Sequence, residues 1–219
     1  MIFHFSQVAD RIPFILKGAV VTLEYTLLSL FIGLILGTFF ALIKLSDVRA
    51  LRWFSSFYTS IFRGTPLLVQ LTLIYYATPQ VLNYQITPFE AGVAAFSLNS
   101  AAYISEIIRA GIQGVDRGQF EAAASLAIPY RYTMLHIIFP QAIKNILPAL
   151  VNETISLLKE SAIVSVIAEN DLLRRANIIS SETFLFFEPL IIVAAIYYIM
   201  VMILTCFAQL LENRIKRSD

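Results

Sequence analysis

Five long apolar runs constrain this chain more than any other feature: residues 18–45, 53–77, 89–112, 148–168 and 184–211. A helix crossing the hydrocarbon of a bilayer needs about 20 mostly apolar residues, and each run supplies them. In lipid the backbone must satisfy its own hydrogen bonds, so each run is expected to be helical. Composition agrees, since 58% of the residues are hydrophobic and only 14% charged, as in polytopic membrane proteins. The expected fold class is therefore an all-α integral membrane protein. It has five transmembrane helices in one domain, 1–219, and a connection at 113–147.

Five spans put the two termini on opposite sides. Lys44, Arg49, Arg52, Arg117, Arg131, Lys144, Arg214, Lys216 and Arg217 fall on one side, and Arg11, Lys17, Arg174 and Arg175 on the other. Positive charge is retained inside, which predicts an outside N-terminus, a cytoplasmic tail and a cytoplasmic 113–147 connection.

Several classes are excluded or disfavoured. A net charge of +1 leaves no basic surface for nucleic acid. The single cysteine, Cys206, sits in an apolar run, so no disulfide framework is expected. His4 and His136 lack partners at ligand spacing, so no metal is expected. The opening "MIFHFSQVADRIPF" lacks the basic start and apolar core of a cleavable signal. No G-x-x-x-x-G-K-[ST] loop occurs, so any ATP and Mg must be held by a partner. Asn152-Glu153-Thr154 reads as a glycosylation sequon but lies inside a span. A self-sufficient secondary transporter is the alternative class; no repeat between halves supports it, and five spans do not divide evenly.

Two interruptions stand out. Arg63-Gly64-Thr65-Pro66 cuts the second run, and a kink at the inner face is expected there rather than a broken helix. Residues 121–142, "EAAASLAIPYRYTMLHIIFPQA", break the apolar pattern at greater length. Three alanines favour a short helix there and let another surface approach closely. Pro129 then ends it, and apolar residues resume at helical spacing, so two short helices along the inner face are expected. On the third span Glu106 and Arg109 are three residues apart and are expected to pair.

That segment resembles the EAA loop of ATP-binding-cassette importer permeases: Glu121-Ala122-Ala123, then Ala127 where glycine is usual, then Ile137-Ile138-Phe139-Pro140. "FRGTPLLVQL" (62–71), "AAYISEIIRAGIQGVDRGQFEAA" (101–123) and "LPALVNETISLLKESAIVSVI" (147–167) resemble blocks of the polar amino acid permeases. The resemblance implies the type I ABC importer permease fold with cytoplasmic coupling helices. It also implies a second permease subunit (homo- or heterodimer), two ATPase subunits, an extracytoplasmic amino acid-binding protein and an inner-membrane location. Glu121, Ala122, Ala123 and Ala127 would couple to the ATPase, with Ala123 part of the small contact face. At Ala127 a relaxed turn with ordinary dihedrals is expected, or a break taken over by Pro129.

Glu153 and Glu160 are seven apart and so share a helical face about 10.5 Å long. Intramembrane carboxylates are expensive and face a cavity, a partner or a substrate. With Asn99 and Ser161 as neutral hydrogen-bond partners, they would suit a cationic amino acid: arginine, lysine or histidine. Glutamine or cystine is the alternative cargo.

Overall fold

The computed structural model describes residues 4–216, with side chains described through residue 210. The described residues form helices and no strand. These are α1 (Phe5–Ala9), α2 (Ile12–Leu45), α3 (Arg49–Gly64), α4 (Leu67–Leu82), α5 (Pro88–Gln113), α6 (Arg117–Ser125), α7 (Tyr130–Tyr132), α8 (Phe139–Glu160), α9 (Leu172–Thr183) and α10 (Phe187–Lys216). Among them, four helical stretches are long and apolar enough to cross a membrane: Ile12–Leu45, Pro88–Gln113, Tyr130–Ile167 and Phe187–Leu210. Of the tail cations invoked for orientation, Arg217 lies outside the described residues, as do the side chains of Arg214 and Lys216.

The pairing of α2 with α5 is the most extensive in the bundle. Gly33 and Gly37 sit one turn apart on α2 and make it possible. A Cβ on Gly37 would come within 2.8 Å of Ile104 Cβ and 2.9 Å of the Ala101 carbonyl oxygen. Helices in lipid associate by close packing rather than by hydrophobic drive, so small residues mark the seam. This Gly-x-x-x-Gly spacing was present in the sequence and is the missed signal for the central helix pair.

The second expected span differs from expectation. Instead of a kinked helix there are two helices, because Thr65 (φ −121°, ψ 145°) and Pro66 (φ −63°, ψ 136°) are both extended. Proline pushes the preceding residue out of the α region and cannot donate to the ladder. The freed carbonyls find side chains. Phe62 O accepts from Gln70 Nε2 at 2.9 Å and from Asn99 Nδ2 at 3.0 Å. Thr65 O accepts from Gln70 Nε2 at 3.1 Å, and Asn99 Nδ2 also donates to Gln70 Oε1 at 3.0 Å.

The 113–147 connection also departs from expectation. α6 is the first expected short helix. The second is no separate helix: from Tyr130 the chain runs through α7, a π-type turn at Thr133–Ile138, α8 and a 3₁₀ turn at Ser161–Ile167 as one helical stretch. Pro140 falls inside this stretch, at the start of α8 and directly after the π-type turn. At the far end, Asp171 caps α9 by accepting from Leu173 N at 3.3 Å and Arg174 N at 2.8 Å. Burial nevertheless raises the Asp171 carboxyl to about 6, outweighing those backbone donors. Phe184, at φ 57°, ends α9, so the last apolar helix begins at Phe187 rather than at 184.

Candidate functional site

Two regions hold the residues singled out from the sequence. In the first, α6 ends in a Schellman motif: Ile128 N donates to Ala123 O and Ala127 N to Ala124 O, each at 3.0 Å. That motif requires a left-handed residue, and Ala127 takes it, at φ 53°. The expectation of a relaxed turn is therefore corrected. Alanine adopts the dihedrals usually given to glycine, and Pro129 follows the turn without replacing it.

Ala123 also departs from its expected place. It is 2% exposed, turned into its own chain, whereas Glu121, Ala122 and Ala127 are exposed. Leu126 (74% exposed), Tyr130 (72%) and Leu135 (64%) add apolar surface to the same region. A loop helix with such residues outside was not legible from its alanines alone, because the face it presents depends on what packs beneath it.

The second region lies between α5 and α8. Glu153 and Glu160 both fall on α8, on one face as the spacing requires, with buried Leu157 between them. Ser100 Oγ donates to Glu153 Oε1 at 2.9 Å. Ser100 was not singled out from the sequence; it is one residue from Asn99, and only the crossing of α5 with α8 assigns it. Among the described residues no cation forms an ion pair with Glu153 or Glu160. Asn99 and Ser161 are not joined to these carboxylates. The Asn99 amide is spent on the helix break, and Ser161 Oγ donates to Leu158 O at 2.7 Å.

Farther along α5, Glu106 and Arg109 pair as expected, with Arg109 Nη2 and Nε 2.7 and 3.0 Å from Glu106 Oε2. Lys44 joins them from α2, donating to Glu106 Oε1 and, at 2.8 Å, to Thr59 Oγ1. The end of α2, the middle of α3 and the end of α5 are thereby tied together.

The family described as binding-protein-dependent transport system inner membrane component matches residues 29–217. A protein of Rickettsia bellii (strain RML369-C), provisionally named as a glutamine transport system permease protein, is 51% identical over 212 residues, 97% of each chain. The arginine transport system permease protein of Bacillus subtilis (strain 168) is 51% identical over 215 residues, 98% of each chain. The crystal structure of an amino acid ABC transporter with histidines superposes with a TM-score of 0.94 at 49% identity, covering 98% of this chain and 100% of that one.

Proposed function

The chain belongs to the binding-protein-dependent transport system inner membrane components, and from that premise we propose that it passes cationic amino acids across the bilayer with Glu153 as their charge partner. It is a permease subunit of an amino acid ABC importer, a multi-pass inner-membrane protein, and ATP hydrolysis belongs to a separate subunit. A self-sufficient secondary transporter is thereby set aside.

One observation carries the choice of cargo: Glu153, half-buried on α8, has a neutral hydroxyl, not a cation, as its neighbour. A carboxylate in such surroundings is retained at considerable cost, and a cationic ligand would offset that cost. Ser100 orients one oxygen and leaves the other to a guanidinium or ammonium group. Glu160, seven residues on, is the secondary acid. Relatives at the same identity are named for glutamine and for arginine, so the argument rests on the carboxylate and not on the names.

The remaining assignments follow the same reading. Glu121, Ala122 and the Ala127 turn meet the ATPase, while Ala123 supports them from beneath. A second permease subunit and an outside binding protein complete the importer, with the N-terminus outside. The test of the cargo is binding-protein-dependent uptake in proteoliposomes. Wild type should move arginine, and Glu153→Gln should depress that at least tenfold, equivalent to about 1.4 kcal/mol. A wild type that moves glutamine and ignores arginine refutes the cationic reading, and undiminished arginine uptake by Glu153→Gln refutes the site.

A further inference from the structure

The end of α5 carries an imbalance of charge. Lys44, Arg63 and Arg109 converge on one carboxylate, Glu106. Both oxygens of Glu106 are already taken, Oε1 by Lys44 and Oε2 by Arg109, and Arg109 Nη1 is spent on Gln113. Arg63 is left over. Its Nη1 comes only within 3.9 Å of Glu106 Oε2, and its guanidinium lies 5.2 Å from the centre of the Tyr103 ring. No hydrogen bond from its five N–H groups is found among the described residues. A cation–π contact anchors the guanidinium without using its N–H groups, which stay available to a planar acceptor.

That fork borders a cavity of about 670 Å³, within the range of small-molecule sites, lined also by Tyr103, Glu106, Arg109, Asn145 and Ala149. Tyr103 lies three residues beyond Ser100 on α5, and Ala149 four before Glu153 on α8. The cavity therefore begins about one helical turn from the Ser100–Glu153 hydrogen bond on both helices. The Ser100–Glu153 pair and the cationic cavity thus lie about one turn apart along α5 and α8.

We propose that this cavity is a carboxylate-binding site in which Arg63, supported by Arg109, takes the α-carboxylate of the amino acid beyond Glu153. Arg63 supplies a bidentate fork, the geometry a carboxylate matches. The excess of two positive charges around Glu106 attracts that group without trapping the whole cargo, because Glu106 itself limits the field. The proposal rests on Glu153 as the cargo's first station, and a carboxylate is common to every amino acid, so the two can fail separately.

The test is equilibrium binding of radiolabelled L-arginine and of agmatine, which is arginine without its carboxylate. The permease–ATPase complex is held in phosphatidylcholine nanodiscs. Wild type should bind arginine at least tenfold tighter than agmatine. Arg63→Gln should bring that ratio close to one with agmatine binding unchanged, and Arg63→Lys should restore part of it. Glu153→Gln should weaken both ligands equally. A wild-type ratio near one, or a ratio indifferent to Arg63→Gln, overturns the proposal while leaving the Glu153 reading intact if Glu153→Gln still weakens both. Arg63-dependent retention of phosphatidylglycerol with a ratio of one assigns the cluster to a lipid headgroup and also overturns it. If wild type ignores arginine and binds glutamine, the cationic reading falls. The comparison of glutamine with its decarboxylated amine, 4-aminobutanamide, then decides Arg63 by the same ratio, and binding of no amino acid at all overturns both.

Discussion

Replacing Ala127 by glycine should stabilise the protein. Ala127 sits at φ 53°, where a Cβ approaches the following carbonyl oxygen, a cost of about 1–2 kcal/mol for an L-residue. Glycine removes that cost but loses more freedom on folding, about 0.4–1 kcal/mol. The net gain is then about 0.5–1 kcal/mol. The two motif hydrogen bonds, both 3.0 Å, involve backbone groups only and survive the substitution. Residue 127 is exposed, so no packing is lost. If α6 melts with the bundle, the gain appears as roughly 1–4 °C in melting temperature for a chain of this size. If α6 opens locally, it appears as about two- to fivefold slower amide exchange at Ala127 and Ile128. Exchange measured by mass spectrometry on the purified permease in detergent reads both cases. Ala122→Gly, inside α6, serves as the opposite control and should lose about 1 kcal/mol. Unchanged or faster exchange in Ala127→Gly, with Ala122→Gly behaving as stated, would refute the strain argument.

Gln70→Leu removes four hydrogen bonds around the break between α3 and α4, leaving Thr65 O without its partner; a loss of about 1–3 kcal/mol is expected. An unaltered melting curve would show that water closes the break instead. Asp171 titrates near 6 folded against 3.8 unfolded, so its protonated form contributes stability that is complete below pH 3.8 and disappears as pH rises through 6. Asparagine caps helices equally well, so Asp171→Asn should match wild type near pH 4 and melt higher at pH 7.5, by at most roughly 3 kcal/mol. A difference that is constant across that range would remove burial as the cause. Arginine uptake by Glu153→Gln and the arginine-to-agmatine ratio of Arg63→Gln complete the set, each with the outcome stated above.

The class and most of the framework could be read from the residues alone. Apolar runs of about 20 residues leave helices as the only option in lipid, whatever packs around them. Glu106 pairs with Arg109, and Glu153 shares a face with Glu160, because spacings of three and seven follow from the helix repeat alone. The block at 121–142 marked the loop because its residue types depart from its apolar surroundings. Contacts between distant residues lay beyond that reach. Asn99 closes a break 37 residues earlier in the chain, Ser100 meets Glu153 from 53 residues away, and Lys44 reaches Glu106 across 62. No local pattern specifies these pairs; they exist because Gly33 and Gly37 let α2 and α5 approach and α8 crosses α5 at Ser100. Ala123 turned inward for the same kind of reason, whereas Ala127 is left-handed because the local motif that ends α6 requires it. A side chain's exposure is settled by the surface it packs on, and that surface is assembled only when the helices meet.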